Sequence, residues 1–292
     1  MLKIEGLSKR LEEKDVLQNI SFAIHKGSIT GLIGRNGAGK TTLIRTIVGI
    51  LEKNDGNITI DGESIFLNEA LRTQIVFMAD TTNFIKQFSV KELVSIYEHA
   101  YPNFNKSSFY ETLEKYKLPN TSLRRYSKGM KTLLYLLLTF STGASYVFLD
   151  EPTNGLDPVV KRKVLQLIIE YVSSGEVGVL ISSHHLAELE KIIDHYLFLK
   201  DGGLESNSSL EESFTDYCKL QVAYQDELST QFKEHPDIFI LSQTGKVSII
   251  IVKKQKEEIL AQLQSAKPLL LEELPLTLED LFFLKDGGEL YV

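Results

Sequence analysis

Ile29-Thr30-Gly31-Leu32-Ile33-Gly34-Arg35-Asn36-Gly37-Ala38-Gly39-Lys40-Thr41-Thr42-Leu43-Ile44 places an apolar strand, a glycine-rich turn and the start of an apolar helix in direct succession. Gly34–Thr41 matches G-x-x-x-x-G-K-[ST], and the flanking strand and helix are the context that pattern needs. Gly34, Gly37 and Gly39 let the backbone curl without Cβ clashes. The N–H groups of Gly34, Arg35, Asn36, Gly37, Ala38, Gly39, Lys40, Thr41 and Thr42 then form an anion nest at a helix N-terminus. Lys40 supplies a mobile cation for the β- and γ-phosphates. Thr41 offers a hydroxyl to Mg2+. A phosphate cradle alone gives nucleotide binding and leaves the reaction open.

Further along, Ser145-Tyr146-Val147-Phe148-Leu149-Asp150-Glu151 is a buried strand that ends in two acids. Ligands in open α/β sheets sit at the carboxyl ends of strands. Asp150 is therefore placed to bind Mg2+, and Glu151 to polarise an attacking water. A later strand, Val177–Ile181, runs into Ser182-Ser183-His184. His184 falls on the same sheet edge and suits a γ-phosphate or the attacking water, while the adjacent His185 reads as structural.

Apolar strands alternating with helices over the first 204 residues indicate a parallel α/β sheet. The helices read as Lys40–Ile50, Val90–Tyr101, Phe104–Leu118, Lys128–Phe140, one starting at Asp157-Pro158, and Leu186–Ile193. Asp157 is an N-cap and Pro158 a first helical residue. The tail has the order βαββαβ: strands at Tyr217–Tyr224, Ile238–Leu241, Lys246–Val252 and Leu269–Leu274, and helices at Glu227–Glu234 and Gln255–Gln264. That order suggests a small ferredoxin-like domain, followed by a last helix, Thr277–Lys285.

Charge separates the same two parts. The chain of 292 residues carries 32 Lys+Arg and 39 Asp+Glu, a net of −7. Residues 1–204 hold 24 basic and 23 acidic side chains, whereas residues 205–292 hold 8 and 16. With the turn at Gly202-Gly203, this places a domain junction after residue 204. The net charge argues against a nucleic-acid partner. One cysteine, Cys218, excludes an internal disulfide and a Cys-rich zinc site. The N-terminal residues lack the apolar core of a signal peptide, and Leu133–Phe140 is too short to span a bilayer.

Taken in order, these residues resemble the ATP-binding cassette family of transporter ATPases over about residues 1–203. Gly34–Thr41 is similar to Walker A, Tyr146–Glu151 to Walker B with its glutamate, Asn154–Asp157 to the D-loop and His184 to the switch histidine. Tyr126-Ser127-Lys128-Gly129-Met130 resembles the LSGGQ signature in a variant form. The resemblance implies a mixed-sheet P-loop core with a helical subdomain at about 89–142. It implies Ser127 and Gly129 closing over ATP held by a second cassette, in a homodimer or heterodimer. Leu11 stands where the family has an adenine-stacking aromatic residue, and Asp80 stands at the Q-loop position as a Mg2+ contact. The signature variant and the acidic tail are similar to cassettes of bacterial export and antibiotic- or peptide-resistance systems.

The resemblance implies ATP hydrolysis driving transport, with ATP and Mg2+ as cofactors and Glu151 as general base. The partner is then a separate transmembrane permease subunit, met by the helical region Ser89–Leu123. The chain sits in the cytoplasm, peripheral on the inner face of the membrane. The rival class is a cassette acting on ribosomes or DNA. Its members carry paired cassettes, long coiled coils or zinc sites, and none fits this chain. A P-loop kinase leaves Ser127–Gly129 and His184 without a role.

Overall fold

The computed structural model describes residues 1–79, 87–226, 228–253 and 256–286. The chain forms two compact units. One comprises Met1–His185 and Ile192–Asn207, the other Leu186–Lys191 and the chain from Ser208 onward.

The first unit opens with a long hairpin, β1 (Leu2–Leu11) and β2 (Lys14–Ile24), and then β3 (Ile29–Ile33) leads into helix α1 (Lys40–Ile47). Strands β4 (Asp55–Ile60) and β5 (Glu63–Ser64) complete an antiparallel sheet of order β2-β1-β4-β5. No strand is anticipated there from the sequence, yet Asn57-Ile58-Thr59-Ile60 alternates and Ile58 and Ile60 are buried. Asp61 and Gly62 turn between them with φ of 51° and 89°. Two positive φ values and an Asp-Gly pair are the marks of a tight hairpin.

After α2 (Glu69–Arg72) and β6 (Ile75–Met78) come three helices, α3 (Val90–Ala100), α4 (Lys106–Lys115) and α5 (Lys128–Ser141). Each starts on a side-chain cap: Ser89 with Glu92 in a reciprocal capping box, Asn105, and Ser127. Strand β7 (Tyr146–Asp150), helix α6 (Pro158–Val172), strand β8 (Gly178–Ser182), helix α7 (Leu186–Leu189), strand β9 (His195–Lys200) and strand β10 (Gly203–Ser209) follow. The second sheet has the order β10-β9-β3-β8-β7-β6. Its neighbours from β9 to β6 are parallel. β3, β7 and β8 are buried at every position. That is why they read as continuous apolar runs rather than alternating ones.

Two expectations move. The turn at Gly202-Gly203 is not a junction but part of a hairpin, with Asp201 and Gly202 at φ of 47° and 79°. The sheet continues through β10, and the units divide between Asn207 and Ser208. Leu186–Ile193 is helical only over Leu186–Leu189.

In the second unit, α8 (Leu210–Thr215) precedes β11 (Tyr217–Ala223), α9 (Thr230–Lys233), β12 (Ile238–Thr244), β13 (Val247–Lys253), α10 (Lys256–Ser265), β14 (Leu270–Leu274) and α11 (Leu278–Asp286). The sheet order is β12-β13-β11-β14, with antiparallel neighbours throughout. Counted from β11, that is the 4-1-3-2 order of a ferredoxin-like fold, reached from its split βαβ halves. Cys218, Leu220, Val222, Ile250 and Val252 face Phe232, Ile259 and Leu263 of the helices.

The opposite face holds an ion pair. Lys219 Nζ donates to both oxygens of Asp280 at 3.0 and 2.9 Å, and Asp280 also accepts from the N–H and hydroxyl of Thr277. Both side chains are largely buried, at 16% and 11% exposure. Removing one partner leaves a desolvated charge, so Asp280→Ala should destabilise this unit by about 3 kcal/mol. The paired change Lys219→Met with Asp280→Leu should recover most of it. Hydrogen exchange of the β11 and β13 amides reads both.

Candidate active site

The order of the parallel sheet does most of the assembly. β3, β8 and β7 are consecutive neighbours, so their carboxyl ends deliver Gly34–Thr41, Ser182–His184 and Asp150–Glu151 to one place. There a cleft of about 420 Å3 is lined by Val16, Asn36, Gly37, Gly39, Lys40, Thr41, Thr42, Glu151, Asn154 and His184.

The glycine loop is shaped by contact as much as by freedom. A Cβ on Gly34 would lie 2.4 Å from the carbonyl oxygen of Leu199, a backbone atom that cannot yield. Gly39, the residue before α1, sits at φ 106°. Only glycine takes that conformation at little cost. Lys40 folds back over the loop: its Nζ donates to the carbonyls of Gly34 at 2.6 Å and Arg35 at 3.2 Å. Burial pushes its ammonium below the ordinary 10.5, against the pull of Glu151 and Asp150. Among the described residues no carboxylate is within ion-pair distance of this desolvated cation. A phosphate seated on the loop would pair with it.

Gly34, Arg35 and Ala38 do not line the cleft. They set the loop's shape, with Ala38 N–H donating to Arg35 O at 3.1 Å.

Asp150 is buried, and Thr41 Oγ1 donates to its Oδ2 at 2.9 Å. Glu151 stands at φ 50°, a left-handed conformation for a non-glycine residue. Such strain gathers at functional sites. His184 Nδ1 donates to Glu151 Oε2 at 2.7 Å. His185 lies beside His184, with ring centres 4.0 Å apart and the rings tilted by 40°.

Some residues singled out above lie elsewhere. Leu11 does not line the cleft: it is exposed at the far end of β1, and Val16 of β2 forms the apolar wall instead. The β1–β2 pairing carries three register irregularities. Counting from the first strand therefore does not locate the wall. Asp80 lies outside the described residues. Ser127 and Gly129 are not on the cleft. Ser127 caps α5 by accepting from Met130 N–H at 3.2 Å, and a Cβ on Gly129 would press within 2.9 Å of Val160. Lys128 Nζ donates to the carbonyl of Asn154 at 2.6 Å. Val16 and Ser182 are the contributors that motif reading passes over, whereas Asn154, which also lines the cleft, opens the stretch similar to the D-loop.

A glycine-rich anion nest with a buried lysine, two acids and a histidine on adjacent strand ends defines a P-loop nucleotide triphosphatase. The ABC transporter family matches residues 17–154. Over 290 residues the chain is 34% identical to the ABC transporter ATP-binding protein YtrB of Bacillus subtilis (strain 168), covering 99% of each. It is 29% identical over 246 residues to the bacitracin transport ATP-binding protein BcrA of Bacillus licheniformis, covering 82% of this chain and 80% of BcrA. A solved ATP-binding subunit of an ABC transporter superposes with a TM-score of 0.66 at 27% identity, covering 73% of this chain and 91% of that one. The chain belongs to the ATP-binding cassette family of transporter ATPases, and it is an ATPase. Among the described residues no helix is long and apolar enough to cross a membrane.

Proposed function

We propose that this chain is the ATP-hydrolysing subunit of a bacterial exporter of a peptide, drug or other small molecule. It works on a separate transmembrane permease, from the cytoplasmic face of the membrane, as a nucleotide-sandwich dimer. The reading is carried by one observation: Lys40, Thr41, Glu151 and His184 share a cleft, while Ser127 and Gly129 lie off it in the same chain. Exposed Ser127 at the head of α5 is free to meet a nucleotide held by a second cassette. The second unit, from Ser208 onward with Leu186–Lys191, then serves as an accessory domain.

Thr41 Oγ1 and Asp150 Oδ2 are hard oxygens 2.9 Å apart. Among the described residues no cluster of three acidic, His or Cys side chains could hold a metal by itself. One or two protein oxygens completed by phosphates is how Mg2+ is usually held, so the pair fits that ion. Bound Mg2+ would neutralise charge on the phosphates. Lys40 and the loop amides hold the β- and γ-phosphates in line with Glu151. Glu151 takes the proton of the attacking water. His184, anchored to Glu151, steadies the γ-phosphate. Most of the rate comes from positioning and charge stabilisation rather than covalent chemistry.

The likeness to BcrA, named for bacitracin transport, supports the export reading. Affinity purification of the tagged chain from detergent-solubilised membranes tests it. A co-purified polytopic membrane subunit whose presence raises ATP turnover is the expected result. Co-purification with ribosomes or DNA, and no membrane subunit, would overturn the transport assignment.

A further inference from the structure

Ser182 is directly across from Asp150 in the β7–β8 pairing, and it is fully buried. Its hydroxyl donates to Asp150 Oδ1 at 2.7 Å. Ser182 Oγ in turn accepts the N–H of Glu151 at 3.0 Å, and the Ser182 carbonyl accepts that N–H at 3.1 Å. Thr41 meanwhile takes Asp150 Oδ2. Both oxygens of Asp150 are therefore held, each from a different segment of chain.

A carboxylate turns easily about its last bond, because that torsion is broad. A donor on Oδ1 removes this freedom and leaves Oδ2 directed at Thr41. The second contact acts on Glu151. Its left-handed backbone is strained and persists only if its surroundings impose it. Two acceptors on one N–H, both from Ser182, supply that constraint.

We propose that Ser182 is a positioning residue of the hydrolytic site. It presents Asp150 Oδ2 to the cation of the Mg2+-nucleotide, and it holds Glu151 where its carboxylate faces the cleft. The proposal rests on the roles given above to Asp150 and Glu151. A buried serine that merely satisfies its own hydroxyl would show one bond to the nearest carbonyl. This one joins the two acids instead.

Ser182→Ala removes the hydroxyl and keeps the Ser182 carbonyl, so the strand pairing stays intact. The test compares wild type, Ser182→Ala, Ser182→Cys and Asp150→Asn in the full-length protein. It reads kcat and KM for ATP, the Mg2+ concentration for half-maximal turnover, the binding of Mn2+ by electron paramagnetic resonance with a non-hydrolysable ATP analogue, and the melting temperature. Ser182→Ala should weaken Mn2+ binding and raise the Mg2+ requirement by about 10-fold, the scale seen when a partner of a metal ligand is lost. kcat should fall by a similar factor with KM nearly unchanged. Ser182→Cys, of similar shape but a weaker donor, should fall between, and it carries the comparison if the alanine variant does not fold.

A Ser182→Ala protein with wild-type Mn2+ binding and kcat would overturn the proposal, whatever its melting temperature. Asp150→Asn separates the two layers of argument. If it leaves Mn2+ binding intact, the assignment of Asp150 itself fails. If it abolishes binding while Ser182→Ala does not disturb it, only the role of Ser182 fails.

Discussion

Replacing Glu151 by Gln should lower ATP turnover by about 10²–10⁴-fold, the usual contribution of a positioned general base. The amide keeps the size of the carboxylate, and its oxygen can still accept from His184 Nδ1, so the geometry at φ 50° has no reason to relax. What is lost is basicity. Nucleotide binding depends on Lys40 and the loop amides, and it should survive. A protein that binds ATP but does not consume it should accumulate as a closed dimer, visible by gel filtration with and without ATP. Wild-type phosphate release from this variant would move the base elsewhere and remove the central assignment.

Lys40→Met should abolish useful nucleotide affinity. A charge-assisted hydrogen bond is worth about 1.5–3 kcal/mol, and two phosphate groups share this ammonium, so binding weakens by roughly 100-fold or more. The fold should persist, because two effects oppose. The variant leaves the carbonyls of Gly34 and Arg35 without their donor, but it also removes a cation that burial disfavours.

That cation gives a second readout. The folded-state pKa of Lys40 lies below the ordinary 10.5, so the folded protein releases this proton before the unfolded chain does. In that interval the unfolded state binds more protons, and stability gains with rising pH. Wild type should therefore gain stability relative to Lys40→Met as pH rises through the folded value toward 10.5. Denaturant titrations of the nucleotide-free proteins at a series of pH values check the sign. A relative loss would mean that Lys40 is held as a cation by its neighbours.

Much of this site is legible in the chain because parallel sheets bury both faces. Tyr146–Asp150 and Gly178–Ser182 are apolar up to the residue that does chemistry, and the change from apolar to polar marks the strand end. Gly34–Thr41 is legible because each glycine answers a local demand, such as the Leu199 carbonyl against Gly34. The antiparallel sheet is harder to read. β4 is six residues long and β5 two, each with one exposed face, and Asp61-Gly62 is the only strong turn signal between them.

What stays hidden is whatever depends on register across strands far apart in sequence. Ser182 meets Asp150 only because β7 and β8 pair with those two residues opposed. Val16 reaches the cleft only through an irregular hairpin. Leu11, expected at the adenine, stands outside that cleft. In the tail, alternation in Tyr217–Ala223 and Val247–Lys253 shows the strands, and the βαββαβ order then suggests the sheet order that is observed.

β10 is the outermost strand of the parallel sheet. Its sequence, Gly-Leu-Glu-Ser-Asn-Ser-Ser, offers one large apolar side chain, Leu204, which packs inward against the core. Behind it lies β9, whose Tyr196, Leu197, Phe198 and Leu199 are all buried. An open sheet edge of that composition invites pairing with another chain, and a short polar strand is a common guard against it. The residues that lead out of the cassette thus also seal it. A chain shortened ahead of Gly203 would lose no catalytic group, yet it would expose β9 and tend to aggregate. The strand that leads out of the sheet is for this reason also a cover for its edge.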